Sequence, residues 1–471
     1  MITRRAFQSG VLSAAAVGGA AAETSVAPGT WSGVLEAGSQ RLRLKLELGA
    51  DNTASLVSVD QSPTPLPGRV TLSGADRIEI DFPGIRAAFV GRIVGPDRLE
   101  GQWSQGGSTL SLAFDRGEGA LASPAPARPL TKARLAELRA GAGSPALAAA
   151  SARRDSPVHV WVDGERAVGT GIAVQETDLW HLGSITKSMT SSLVARLADA
   201  RAVHWDDTVG DVLGAVAPDM RDVYRAVTFR HLLCHRSGLP DNLPVAEVVA
   251  FSRDIADARE ERKSYVRQSL AMAPVGPMAT TFKYSNNGYV VAGAMLEAKL
   301  GKRWEDLIRM HLFEPLGLST AGFGAPGHKG ATDQPVGHTR TATGEERRAY
   351  PVGAGVTDNP VVIGPAGRVH MSLQDLLRYL AAHRDGTGYL SPSAWKLLHS
   401  PPFGGDYAMG WIVRGDGTLW HNGSNTLWYA EVLFDAAGGI VAAAAANDGY
   451  LVKSSPAVGH ALREAVAAAA A

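Results

Sequence analysis

His181-Leu182-Gly183-Ser184-Ile185-Thr186-Lys187 is the stretch from which the rest of the chain can be read. A turn at Gly183 opens an apolar-periodic helix that runs on through Met189, Leu193 and Leu197. Ser184 therefore falls in the first turn, where free backbone N–H groups and the positive end of the helix dipole favour a developing anion. Three residues on, Lys187 shares a face with that hydroxyl and comes within hydrogen-bonding reach. A free lysine is a poor base at neutral pH. Burial and positive surroundings must lower its pKa toward neutrality, a differential of roughly 4 kcal/mol, before it can take the serine proton. Alone, a Ser-x-x-Lys tetrad also reads as a helix cap followed by a surface lysine.

Two further segments carry matching chemistry. Tyr284-Ser285-Asn286 follows Phe282 and precedes a helix expected to begin near Asn287-Gly288, so Tyr284 and Asn286 can project from one loop. A phenol beside a lysine ammonium is stabilised as phenolate and can shuttle a proton. The Asn286 amide offers a donor and an acceptor to a substrate amide or to Lys187. His421-Asn422-Gly423-Ser424 closes one strand before the next. Gly423 allows close backbone approach, and the N–H of Ser424 can pair with that of Ser184 as an oxyanion hole.

In this order, Ser184-x-x-Lys187, Tyr284-x-Asn286 and His421-x-Gly423 resemble the serine beta-lactamase and penicillin-binding-protein superfamily, closest to its class C beta-lactamase, esterase and D-aminopeptidase branch. Residues 227–240 (VTFRHLLCHRSGLP), 313–318 (FEPLGL) and 366–376, from Ala366-Gly367-Arg368 to Ser372-Leu373-Gln374-Asp375-Leu376, look like that family too. The resemblance covers about Leu135 to Ala465. It implies an α+β fold, a class C-like antiparallel sheet flanked by helices plus an all-helical subdomain, and an acyl-enzyme serine hydrolase. Ser184 is then the nucleophile, Lys187 and Tyr284 the base pair, and Asn286, His421, Gly423 and Ser424 the substrate-binding residues. One departure stands out: true beta-lactamases usually carry Lys-Thr-Gly where this chain has His421-Asn422-Gly423. A lysine there gives a substrate carboxylate a permanent charge, whereas histidine is mostly neutral at pH 7. An esterase, or a peptidase acting on D-residues or small amides, fits the substitution better than a strong beta-lactamase. Whether His421 or Arg368 meets a carboxylate stays open.

Outward from this region, Trp31 to Arg116 has period two, clearest where Leu42, Leu44, Leu46 and Leu48 alternate with Arg41, Arg43, Lys45 and Glu47. About eight short strands are expected over residues 27–117, in a small closed barrel or sandwich. Such a body either holds an apolar ligand or is filled by its own side chains. It is similar, more weakly, to the lipocalin-like domains attached to some family members. Residues 118–130, with Ser123-Pro124-Ala125-Pro126-Ala127-Arg128-Pro129, read as a stiff linker to a hydrolase domain at 131–471. There a helix is expected over Thr131 to Ala140, then two strands, the second at Val158 to Val162 with a hairpin turn at Asp163-Gly164. Helical patterns follow from Ser188 to about Leu398. Strands return at Tyr407–Val413, Thr418–His421, Trp428–Phe434 and Ile440–Ala446, before a helix through Ala457 to Ala470. Strands at both ends around a helical middle imply one mixed sheet with a helical insertion beside it.

The chain opens Thr3-Arg4-Arg5-Ala6-Phe7 and continues through an apolar stretch to Ala20-Ala21-Ala22, so residues 1–22 read as a twin-arginine-like export signal and the protein as periplasmic or secreted. No segment reads as a stable membrane insertion. Its 46 basic and 46 acidic residues cancel, which leaves no global field for nucleic acid. The single cysteine, Cys234, excludes an intramolecular disulfide and a thiolate metal cluster. A zinc site from His231 and His235, four apart on an expected helix, lacks the intervening glutamate of His-Glu-x-x-His, and no Gly-x-Ser-x-Gly elbow exists. No metal or cofactor is called for, and the partner is a small ester, amide or peptide substrate. The competing reading is a non-catalytic penicillin-recognising or lipocalin-type binding protein. The presence of both Lys187 and Tyr284 argues for catalysis.

Overall fold

The computed structural model describes residues 28–37, 40–59, 62–73, 76–85, 87–105, 108–121, 127–340, 347–353 and 356–471. The expected export signal, and the centre of the linker, lie outside the described residues. The chain forms two compact units, an N-terminal barrel and a larger C-terminal body.

Eight strands close the barrel: β1 (Gly29–Ala37), β2 (Gln40–Leu48), β3 (Thr53–Ser58), β4 (Ser62–Ser73), β5 (Arg77–Phe82), β6 (Ala87–Gly95), β7 (Arg98–Gln105) and β8 (Ser108–Arg116). Closure comes from β1 pairing antiparallel with β8, Trp31 opposite Arg116. The period-two pattern sorts the side chains as expected. Leu44, Leu46, Leu48, Ile78, Ile80 and Phe82 are buried, and their charged neighbours face outward. Inside, Phe82 meets Trp103 at 5.6 Å between ring centroids and Phe89 meets Phe114 edge-on at 5.4 Å. Of the two readings left open above, a barrel packed with its own rings is the one these contacts match.

The C-terminal body is built on a six-stranded sheet that joins the two ends of its own sequence. In chain order its strands are β9 (Ala146–Arg153), β10 (His159–Gly164), β16 (Ile412–Val413), β17 (Leu419–Ser424), β18 (Tyr429–Asp435) and β19 (Ile440–Ala446), and across the sheet they run β10-β9-β19-β18-β17-β16. β9 lies beside β19, Ala150 opposite Ala443. Every pair is antiparallel, as the family resemblance implies, so the sheet is not the mixed one that strands at both ends suggested; tight turns join β9 to β10 and the run from β16 to β19, and β9 and β19, from opposite ends of the domain, also run antiparallel. Alanine is a poor strand former in isolation, yet β9 and β19 are largely alanine. Burial on both faces explains it. Ala146, Ala148 and Ala150 join one core cluster, while Leu147 and Ala149 join another with α1 (Lys132–Ala142) and the terminal helix, Leu451–Ala470. Small side chains on central strands let helices pack close to both sides.

Between the sheet's two halves runs the helical part, whose longest elements include α2 (Thr186–Asp199), α4 (Asn286–Leu300) and α5 (Leu373–Asp385), with the short α3 (Phe229–Leu233); the terminal helix is α6. The stretch from 188 to 398 is less uniformly helical than its pattern suggests. β11 (Leu179–His181), β12 (Gly322–Phe323) and β15 (Val369–Ser372) form a three-stranded sheet, and β13 (Gly337–Arg340) pairs with β14 (Arg347–Tyr350). Asp163-Gly164 is not a turn but the end of β10, opposite Leu147 and Ala146. The hairpin turns earlier, around Asp155, which adopts φ 61°. The strand expected at Tyr407–Val413 shrinks to Ile412–Val413 because Gly410, at φ 83°, breaks the run where it passes α2. Among the described residues no helix is long and apolar enough to cross a membrane.

Candidate active site

β11 ends at His181, and the chain makes a single 3-10 turn over Gly183–Ile185 before α2 begins at Thr186. Gly183 sits at φ 48°, a left-handed conformation that suits glycine. This turn leaves Ser184 half-buried and puts Lys187 one turn further in, with no exposed surface. Lys187 Nζ lies 2.9 Å from Ser184 Oγ, 2.7 Å from Asn286 Oδ1 and 2.7 Å from the carbonyl oxygen of Ala366. The three acceptors are uncharged, so burial is unopposed and holds the Lys187 ammonium well below the usual lysine range. A neutral amine has two N–H groups and one lone pair. With the two carbonyl oxygens taking the N–H groups, the lone pair is left for the Ser184 hydroxyl, which then donates to Nζ.

Tyr284 reaches the same hydroxyl and hydrogen-bonds Ser184, its ring centre 4.8 Å from Lys187 Nζ. The resting phenolate expected from sequence is not what this environment favours. Burial pushes the Tyr284 phenol up, and the hydrogen bond to Ser184 only partly offsets it. A site with little solvent disfavours the ammonium and the phenolate alike, so the proton rests on the phenol.

Local sequence explains how that loop is held. Ser285 caps α4, accepting from Gly288 N at 3.1 Å, so the helix starts at Asn286, one residue before the expected start. The Ser285 N–H donates to His235 Nδ1 at 3.0 Å, and the imidazole lies 4.3 Å from the Tyr284 ring centre. Asn286 N donates to the Asp241 carbonyl at 2.8 Å, and Asn286 Nδ2 to Asn242 Oδ1 at 2.8 Å. Both ends of the Asn286 amide are thereby engaged, one with Lys187. The two histidines weighed as a zinc pair do not share a helix. His231 is in α3, with Nδ1 at Thr228, whereas His235 lies past its end at φ 58°. Among the described residues no group of three potential metal ligands forms.

The end of β17 forms the opposite wall. A side chain at Gly423 would come within 2.5 Å of Ser184 N and collide with the Leu182 carbonyl, and one at Gly183 would collide with Ser424 N. Two glycines thus let the Ser184 and Ser424 backbones lie together, as an oxyanion hole requires. The Ser424 side chain turns away: its hydroxyl donates to the Trp428 carbonyl at 2.7 Å and accepts from Thr426 N. His421 is buried, its Nε2 3.1 Å from the Tyr407 hydroxyl, and burial brings its pKa down to about 3, against the opposing pull of the Asn422 carbonyl. It is neutral at physiological pH. Arg368 is ion-paired with Asp358, Nε to Oδ2 at 3.1 Å. Neither offers a free cation to a substrate carboxylate.

Sequence reasoning missed Tyr407, which it read only as a strand start. Tyr407 packs on His235 at 4.6 Å and on Tyr284 at 6.4 Å between ring centres. It also missed the Ala366 carbonyl. An aromatic in a loop and a backbone oxygen carry no local signature. His235 was in view within residues 227–240, but as a scaffold residue and not as the support of Tyr284.

This arrangement can be set beside known proteins. Penicillin-binding protein 4 of Amycolatopsis lactamdurans is 28% identical over 317 residues, covering 63% of this chain and 79% of that protein. The chain spans about half the length of further curated relatives it matches. Among solved structures, the D-amino acid amidase from Ochrobactrum anthropi SV3 superposes with a TM-score of 0.57 at 20% identity, over 71% of this chain and 96% of that one. EstCE1, a hydrolase with promiscuous acyltransferase activity, gives 0.58 at 19% identity, over 72% and 99%. At such identities they share the fold. The family model for beta-lactamase matches residues 131–467, from the first turn of α1 almost to the end of α6 and across every residue of the site. With fold, sequence and the company kept by Ser184 in agreement, the chain belongs to the beta-lactamase family of serine acylating hydrolases.

Proposed function

We propose that this protein hydrolyses small esters or amides through an acyl-enzyme on Ser184. The observation that carries the reading is the buried, uncharged-partnered Lys187 amine 2.9 Å from Ser184 Oγ. In acylation, the Ser184 proton passes to Nζ as Oγ attacks the substrate carbonyl. The tetrahedral oxyanion is met by the N–H groups of Ser184 and Ser424, each such donor worth about 3 to 4 kcal/mol in the transition state. Tyr284, neutral at rest, gives its proton to the leaving group and regains one from the Lys187 ammonium. Water then takes the leaving group's place, and the same pair removes its proton to free the acid and restore Ser184.

Neutral His421 and ion-paired Arg368 leave a beta-lactam carboxylate without a cationic partner, which favours uncharged esters and amides. The similarity to a D-amino acid amidase and to EstCE1 supports the same two classes. Residues 1–22 act as the export signal in this reading, which places the mature hydrolase in the periplasm or outside the cell. The lipocalin-like barrel at 27–117 and the linker at 118–130 precede a catalytic domain at 131–471. The test is a panel of p-nitrophenyl esters, D-amino-acid amides and nitrocefin, with intact-mass detection of the acylated serine. Ester or amide turnover that Ser184→Ala abolishes is expected. Full turnover by that variant removes Ser184 from the mechanism.

A further inference from the structure

Asp358 is a buried carboxylate that the mechanism above does not use, yet it reaches three separate segments of the site. Its Oδ2 accepts from His181 Nε2 at 3.1 Å and from Arg368 Nε at 3.1 Å. Its Oδ1 accepts from Asn425 Nδ2 at 2.9 Å and from the neighbouring Asn359 N at 2.7 Å. Burial would raise this carboxyl, but its contacts with His181, Arg368 and Asn425 hold it well below the usual range. It stays charged.

Each partner stands next to a working group. His181 is two residues before Gly183, and its Nδ1 accepts the Gly183 N–H at 3.1 Å. Arg368 lies two residues past Ala366, whose carbonyl holds Lys187. Asn425 follows Ser424, and its own Oδ1 accepts from Leu427 N and Trp428 N, which fixes the turn out of β17. Because Nδ1 of His181 is an acceptor, its proton must sit on Nε2, and Asp358 is the acceptor that keeps it there.

We propose that Asp358 is a positioning residue for the acylation step: by holding His181 in its Nε2–H tautomer and clamping Arg368 and Asn425, it sets the Ser184 turn, the Lys187 carbonyl anchor and the Ser424 N–H in register. The inference rests on the acyl-enzyme reading of Ser184. In Asp358→Asn an amide N–H group faces either the His181 Nε2–H or the donors of Asn425 and Asn359. His181 relieves the first clash only by moving its proton to Nδ1, which removes the acceptor of the Gly183 N–H.

The test uses the full chain, a p-nitrophenyl ester and an alkylboronic acid, whose tetrahedral serine adduct samples the oxyanion hole without turnover. Asp358→Asn lowers kcat about 30-fold or more with KM within about 3-fold, as a wrong tautomer does elsewhere, and weakens boronate binding in parallel. Asparagine at 181 has no tautomers and can still accept from Gly183 through its near oxygen. Added to His181→Asn, Asp358→Asn therefore costs several-fold less than it does alone, the remainder being what the clamps on Arg368 and Asn425 contribute. Equal costs in both backgrounds, or wild-type kcat in Asp358→Asn, overturn the proposal. Should Asp358→Asn fail to fold by thermal melting, two variants at 181 still decide. His181→Asn keeps the near acceptor and outperforms His181→Gln, which keeps only the far donor, by about 10-fold; the reverse order overturns the proposal. Ser184→Ala separates the two readings, since full activity in that variant removes the hydrolase mechanism itself. Loss of activity in Ser184→Ala with wild-type behaviour in Asp358→Asn removes only this inference.

Discussion

Lys187 has no carboxylate among its hydrogen-bond partners, and that one circumstance sets its chemistry. Its folded pKa is depressed, so the free base dominates above that pKa and the ammonium below it. The value of kcat/KM is expected to rise with pH along an acid limb as Lys187 loses its proton, measurable as a pH–rate profile on an ester. Lys187→Met should remove that limb and lower kcat at least about 1,000-fold, the upper range for loss of a general base. Lys187→Arg should rescue nothing, because guanidinium stays protonated. Tyr284→Phe should cost about 100-fold in kcat, through slower proton delivery to the leaving group. An unchanged rate in that variant would assign the whole proton traffic to Lys187. The residues that converge on the Ser184 hydroxyl were legible because Ser184, Lys187, Tyr284 and Asn286 occupy two short segments with fixed spacing. Their charge states were not, since a string of letters does not say that solvent is excluded. The same blindness made Tyr284 look like a phenolate.

At the scale of elements, the seam between β17 and the turn before α2 depends on Gly423 and Gly183 lacking side chains. Gly423→Ala should abolish ester hydrolysis and destabilise the fold by about 1–3 kcal/mol, as overpacking does, read by chemical denaturation. Gly388→Ala, where a Cβ meets nothing within 4 Å, is the matched control and should leave both activity and stability alone. Strands with alternating or strongly apolar patterns, in the barrel and at 429–446, were visible in sequence because burial on a pleat has a period of two. The small sheet of β11, β12 and β15 was not. Two- to four-residue strands inside a region of helical periodicity take their pairing from tertiary context, and Gly322-Phe323 has too few residues to show any period. The Asp163-Gly164 pair misled for the converse reason: it has turn chemistry, but pairing with β9 extends through it.

Over the whole molecule, imidazoles are stored uncharged in the interior. Burial lowers His383 well below its ordinary range, His399 and His370 to about 4 and His421 to about 3. His383 and His399 lie 2.9 Å apart, one nitrogen donating to the other. In the unfolded chain each would protonate near pH 6.5, so between there and pH 4 the unfolded state binds more protons. Stability is full above about pH 6.5 and falls as the pH drops, by up to about 1.4 kcal/mol per pH unit for each histidine involved. Thermal unfolding followed from pH 8 to pH 5 should show Tm falling below about pH 6.5; a flat profile would mean these rings gain protons in the folded state without cost. The pairing of β9 with β19 bears on the life of the protein in another way. A ribosome releases Ser184, Lys187 and Tyr284 long before residues 440–446, and the strand carrying Gly423 and Ser424 docks only on a sheet those late residues complete. Nascent or C-terminally clipped chains therefore lack the strand that brings Ser424 against Ser184, and under the proposed mechanism the anion's cradle is assembled only when synthesis is all but finished.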